Sequence, residues 1–184
     1  MTSEQNVFGH VLDILEKLGI PYMIGGSVAA IAYGEPLLTL DMDVVVKMDR
    51  DQAKEFSKSL GQEYYVNLDS ILEAIRSKGH FNIINSEQGI KVDFYILKDE
   101  AFDQEEFSRR RKESFDNIRE ATFASPEDVI LKKMEWYKMG ESEKHLEDIK
   151  GILKISGSKI DLSYIDEWAS KIGISDIWNK LKST

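Results

Sequence analysis

Three aspartates and a glycine-rich turn are the residues of this sequence best suited to chemistry. Residues 25–46 read GGSVAAIAYGEPLLTLDMDVVV and residues 91–97 read KVDFYIL. On a strand, side chains two apart share a face and lie about 6.6 Å apart. Thr39, Asp41, Asp43 and Val45 therefore point one way, and Leu40, Met42, Val44 and Val46 point the other way, into a core. In the second stretch Val92, Phe94 and Ile96 take one face, and Lys91, Asp93 and Tyr95 the other. If the two strands are neighbours, Asp93 lies beside the Asp41/Asp43 pair. Three carboxylates that close raise one another's pKa. A divalent cation removes the repulsion, and hard oxygen ligands in a partial shell, with positions left for phosphate and water, suit Mg²⁺.

The turn at Gly25-Gly26-Ser27 is the complement of that site. A helix beginning just after two glycines turns its unpaired N–H groups and its positive dipole end outward, which is a phosphate site. Two glycines let the backbone approach phosphate closely, and the Ser27 hydroxyl can add a bond. No lysine follows in the manner of a Walker A loop, so the turn is not a P-loop.

The surrounding elements must hold these groups in place. Residues 4–19 show helical spacing of Val7, Val11, Ile14, Leu15 and Leu18, with Gly19 as the stop. Residues 21–24 form a short strand, 27–33 a small-residue helix and 41–47 a strand. Helices are expected over 50–60 and 70–77, and a strand pair over 80–84 and 90–97 with its turn at 86–89. Residues 101–112 read as a highly charged helix, and NIREATFA as a further strand. Then SPEDVILKKMEWYKMG opens with Ser125 as N-cap, Pro126 at the first helical position and Asp128 closing a capping box. Helices over 142–156, 161–172 and 175–182 complete the chain. The expectation is an α/β (α+β) fold: a mixed sheet with flanking helices over 1–123 and a helical subdomain over 124–184.

Composition narrows the function. The chain has 184 residues, 42% apolar and 10% aromatic, which fits an ordinary globular protein. No apolar run approaches the ~20 residues of a membrane span, and the first residues carry no basic and apolar leader pattern. The absence of cysteine excludes disulfides and thiolate metal sites and fits a cytoplasmic protein. A net charge of −9 argues against broad nucleic-acid binding. The one basic cluster, Arg109 to Lys112, could touch a triphosphate or an RNA backbone; the plainer reading is a solvated helix end. His10 and His80 read as surface or strand-end residues, and Trp136-Tyr137 as core.

Together, "GGS" at 25–27, "TLDMDVVV" at 39–46 and "KVDFYIL" at 91–97 resemble the nucleotidyltransferase superfamily with the DNA polymerase β-like fold. The resemblance implies that Gly25, Gly26, Ser27 and Thr39 belong to the nucleotide site. It also implies that Asp41, Asp43 and Asp93 hold two Mg²⁺ ions, and that an acceptor hydroxyl attacks the α-phosphate of an NTP with pyrophosphate leaving. The stretches SPEDVILKKMEWY and SEKHLEDIKGIL resemble the minimal proteins related to AbiEii toxins of toxin–antitoxin systems. That likeness adds Lys133, with Lys132 as the competing register, and Asp148 to the nucleotide-binding set, and an antitoxin protein to the partners. His145 stands where those proteins commonly carry an aspartate, and Ser142 where they carry an arginine. Helical spacing puts Lys133 at the flank of the stripe formed by Ile130, Met134 and Tyr137, within reach of the carboxylate rim. The acceptor, an RNA end, a protein side chain or a small molecule, is not legible. The alternative in another class is a non-catalytic nucleotide-binding or interaction module on the same scaffold.

Overall fold

A computed structural model of the chain describes residues 3–36, 39–116 and 119–182, with the side chains of 3–5 left undescribed. Seven strands form one mixed sheet among the described residues: β1 Tyr22–Ile24, β2 Asp41–Val46, β3 Tyr64–Tyr65, β4 His80–Asn85, β5 Ile90–Ile96, β6 Arg111–Ser114 and β7 Glu120–Phe123. Their spatial order is β3-β4-β5-β2-β1-β7-β6. The pairs β2–β5 and β1–β7 are parallel and the others antiparallel. The helices are α1 Ser3–Lys17, α2 Gly26–Tyr33, α3 Arg50–Ser59, α4 Leu68–Ser77, α5 Ala101–Ser108, α6 Pro126–Gly140, α7 Glu143–Ser156, α8 Leu162–Lys171 and α9 Ser175–Lys182, with a 3₁₀ turn at Gly157–Lys159.

Alternation along the central strands decides which face is buried. Met42, Val44 and Val46 of β2 and Val92, Phe94 and Ile96 of β5 are all buried. Phe94 stacks on Phe81 at 4.8 Å between ring centroids and meets the edge of Phe56 from α3 at 5.4 Å. Helix α3 packs against α1 and α4, and α1 and α4 pack on β5, with α4 also on β4. Leu40, expected in this core, is half exposed at 51%, because β2 begins one residue later and the chain at Leu40 lies outside the ladder.

Helix α2 carries the glycine turn at its start and packs on β2, α6 and α7. Its far end is locked to α7. A Cβ at Gly34 would lie 2.9 Å from the Ala30 carbonyl oxygen and 3.0 Å from the Ile152 nitrogen, so only glycine lets the two backbones come this close. Ser156 Oγ donates to the Tyr33 carbonyl at 2.6 Å beside this contact.

Two elements differ from their sequence reading. The charged helix over 101–112 stops at Ser108, and Arg111–Ser114 is an edge strand paired with β7. The basic cluster is thereby dispersed into contacts. Arg109 lies 3.7 Å over the Tyr164 ring and pairs with Asp128 and Glu127 at 3.2 and 3.3 Å. Arg110 lies over Phe107, and Arg111 bonds Tyr33 Oη at 3.3 Å. Asp128 does not close a capping box. Its amide donates to Ser125 Oγ at 3.2 Å, but its buried carboxylate takes bonds from Tyr164 Oη at 2.7 Å, from Ser125 Oγ and from Arg109. Burial pushes that carboxyl above the usual range even so. The short strand β3 and the helix start at Leu68, capped by Asn67, were not legible; residues 117–118 of the NIREATFA stretch lie outside the described residues.

Arg109→Met should therefore destabilise the protein by about 2–4 kcal/mol, since it leaves a buried carboxylate without its cation. Urea unfolding checks this; a loss under about 0.5 kcal/mol, the scale of an exposed ion pair, would contradict it.

Candidate active site

The parallel register of β2 and β5 sets Asp43 directly opposite Asp93, and Asp41 directly opposite Lys91. All four belong to the face that carries α2. The Asp43 carboxylate is pressed against Gly26: a Cβ on Gly26 would stand 1.8 Å from Asp43 Oδ2 and 2.6 Å from its Cγ. Gly26 also has φ +58, in the left-handed region. Glycine is thus required twice at this position. The space freed by its missing Cβ is filled by Asp43 of the same chain, whereas a Cβ at Gly25 would meet nothing within 4 Å. The Gly25 amide donates to the Asp43 carbonyl at 2.9 Å, and its carbonyl accepts from Ala29. The first-turn amides of Gly26, Ser27 and Val28 are those with no partner inside a helix. Turn and carboxylate are therefore one unit, joined by a main-chain bond and a side-chain contact.

Electrostatics at the rim follow from this packing. Burial first, and Asp93 second, push the Asp43 carboxyl above its usual range, while Lys133 pulls it back. Lys91 Nζ lies 2.7 Å from Asp93 Oδ2 and 3.9 Å from Asp41 Oδ1. The bond to Asp93 raises the Lys91 pKa. Asp41 and Asp93 oxygens are thus no further apart than those two distances together. Tyr95, next along the same face, has its hydroxyl pKa pushed up to about 12 by burial and by Asp43 and Asp93. Thr39 Oγ1 is tied to the backbone of its own segment, donating to the Asp41 carbonyl at 3.0 Å and accepting from the Asp41 amide at 3.3 Å.

Lys133 is not at the flank of its helix but 1% exposed, with Nζ 2.6 Å from Asp148 Oδ2 of α7. It still reaches the site, because it lines a cleft with Gly25, Gly26 and Asp43. The cleft continues past Val45 and Tyr95 between the sheet and helices α5 and α6, where Asp103, Glu106, Lys132 and Trp136 form its wall. Lys132 pairs there with Asp103 at 2.9 Å and Glu135 at 3.1 Å, and stands 4.0 Å from Glu106. Burial holds the Glu106 carboxyl well above its usual range. His145 sits beside Trp136, with its imidazole pKa lowered by burial and by Lys133.

The resemblance to nucleotidyltransferases implies a divalent cation beside these carboxylates. The donor set fits a partial shell of one or two carboxylates completed by phosphate: acceptor-only oxygens come from two adjacent strands, with a positive group, the Lys91 ammonium, already accommodated against two of them. Among the described residues no three His, Cys, Asp or Glu side chains are grouped as a metal shell. Lys91 was placed on this face by strand alternation, but its pairing with Asp41 required the strand order. Alternation also set Tyr95 on this face, whereas Asp103, Glu106 and Trp136 as cleft walls had no local signal.

A parallel β2–β5 core with a glycine turn against its carboxylates is the frame of a nucleotidyltransferase. The chain belongs to the family described as nucleotidyl transferase of unknown function (DUF2204), whose model matches residues 4–182. No curated protein matches it. Among solved structures, the antibiotic-resistance factor ANT(2'')-Ia in solution is similar with a TM-score of 0.63 and 13% identity, over 98% of this chain and 96% of that one. The lincosamide antibiotic adenylyltransferase LnuA, bound to lincomycin, is similar with a TM-score of 0.54 and 16% identity, over 85% and 99%. JHP933 from Helicobacter pylori reaches 0.54 at 12% identity, over 98% and 76%. At these identities the likeness concerns the fold.

Two outcomes follow from the packing. Gly26→Ala should lose about 1–3 kcal/mol and displace Asp43, whereas Gly25→Ala should lose less than about 1 kcal/mol. Equal melting temperatures for the two variants would refute the contact. Asp43→Asn should stabilise the ligand-free protein at neutral pH. The sign is that of a raised carboxyl: its ionised form opposes folding, so stability is lost as pH rises through the folded pKa. The advantage of Asp43→Asn over wild type should shrink as pH falls toward 3.8, the unperturbed carboxyl value, in paired denaturant titrations.

Proposed function

We propose that this protein transfers a nucleoside monophosphate from an NTP to the hydroxyl of an acceptor, with Mg²⁺ held by Asp43, Asp93 and Asp41. The observation that supports this most directly is the contact of Gly26 with Asp43, itself opposite Asp93, which joins phosphate turn and carboxylates in one place. When bound, the cation neutralises phosphate charge and favours the ionised acceptor oxygen. The turn at Gly25, Gly26 and Ser27 would receive phosphate oxygens on the amides of Gly26 and Ser27, the Gly25 amide being bonded to the Asp43 carbonyl. Asp93 would accept the acceptor's proton. The acceptor oxygen forms a bond to the α-phosphorus, the bond from that phosphorus to the bridging oxygen breaks, and pyrophosphate leaves. Lys133 would meet the leaving phosphates from the opposite wall. Positioning and charge neutralisation carry such a reaction, with little covalent work for the protein.

The acceptor is a small hydroxyl-bearing molecule on this reading. The cleft beyond Asp43 is walled by the sheet, α5 and α6, which suits a compact ligand better than a chain end. Two structural neighbours point the same way: one is solved with adenylyl-2''-tobramycin and another with lincomycin. A toxin–antitoxin role with an antitoxin partner rests on the resemblance of the C-terminal elements, the same likeness that brings Lys133 into this scheme.

A second reading, nucleotide binding without transfer, draws on the Lys133–Asp148 pair. Those two residues are bound to each other at 2.6 Å, so Lys133 has to leave a buried partner to meet a phosphate.

The test incubates the protein with each α-labelled NTP, Mg²⁺ and a fractionated cell extract, and follows label transfer and pyrophosphate. Transfer is expected, and Asp93→Asn should slow it by about 10²–10⁴-fold. Nucleotide binding with no transfer and no pyrophosphate would leave the second reading standing instead.

A further inference from the structure

The acidic rim holds a cation of its own. Lys91 Nζ is 2.7 Å from Asp93 Oδ2 and 3.9 Å from Asp41 Oδ1. The register fixes this placement: Lys91 is level with Asp41 on the neighbouring strand and two residues before Asp93 on its own. The ammonium thus bridges two carboxylates, Asp93 and Asp41, with Asp43 opposite Asp93 on the neighbouring strand. The lysine side chain is 37% exposed, so its stem has room to swing outward.

We propose that Lys91 is a tethered competitor of the divalent cation: it occupies the cation's place at Asp93 and Asp41 in the resting protein and gives it up to a cation that arrives with nucleotide. This rests on the reading that the three aspartates bind the metal. The lysine supplies a single charge through a flexible, partly exposed stem, so its hold is modest and reversible. A free divalent cation must eject the ammonium into solvent. A cation carried by a triphosphate brings anionic oxygens that receive the ammonium as it leaves, so exchange becomes favourable only with nucleotide present. The protein then binds free metal weakly and metal with nucleotide well. It also keeps its carboxylates from repelling one another while empty.

The experiment measures Mn²⁺ binding without nucleotide, by calorimetry or water-proton relaxation, for wild type, Lys91→Met, Lys91→Arg and Asp93→Asn. Lys91→Met should bind Mn²⁺ about ten-fold more tightly than wild type, and Lys91→Arg, which keeps the charge, should resemble wild type. Mg²⁺ should also raise the melting temperature of Lys91→Met more than that of wild type. Should Lys91→Met fail to fold, judged by circular dichroism, Lys91→Gln takes its place with the same expectation. A folded variant that binds Mn²⁺ no better than wild type overturns the proposal. If Asp93→Asn binds Mn²⁺ as Lys91→Met does, the aspartates are not the metal site, and that reading falls with the proposal. Tight Mn²⁺ binding by Lys91→Met with no nucleotidyl transfer by the wild type would support the competitor role while refuting the proposed reaction.

Discussion

Everything at this site depends on the contact between the Asp43 carboxylate and the bare Cα of Gly26. It joins the start of a helix to the middle of a buried strand, leaving no room for even a methyl group between them. Because β1 and β2 are antiparallel neighbours, with Ile24 paired to Val44, the turn after β1 necessarily arrives beside Asp43. Because β2 and β5 are parallel and in step, Asp93 arrives on the other side. Anion-seeking amides and acidic side chains are thus neighbours, and what opposes the empty arrangement is the burial of Asp43 beside the like charge of Asp93. A triphosphate bound with a cation satisfies both at once.

The opposing wall is built on different principles. Lys133 and Asp148 are each almost fully buried and bound to one another, and the pair places a full positive charge within electrostatic reach of Asp43. The ion pair is expensive to desolvate but gives α6 and α7 one specific relative position. Further along the cleft, Lys132 is shared among Asp103, Glu106 and Glu135, so adjacent lysines of one helix serve separate networks. Arg109, Asp128 and Tyr164 form a third, joining α8 to the end of α5.

Much of this was legible in the sequence, for a physical reason. Period-two alternation assigns Asp41, Asp43 and Asp93 to one face without knowledge of the sheet, because pleating is a local property. The helix start at Ser125 was equally local. What sequence reasoning missed depends on partners remote in the chain. Lys133 looked like a flank residue because its buried partner Asp148 lies on another helix. The arginine run looked like a solvated helix end, since its charge count carries no sign of the tyrosine rings and carboxylates that absorb it. Leu40 was assigned to the core by extending the alternation one residue beyond the point where the ladder begins.

The junction at Gly34 has a mechanical consequence. Helix α2 is only eight residues long, with the glycine turn at one end and the near-touching backbones of α2 and α7 at the other. Helix α7 in turn carries Asp148, which holds Lys133 across the cleft. Among the described residues, the two jaws of the cleft are therefore anchored to one short strut. Widening the cleft would therefore strain the α2–α7 junction at Gly34 first.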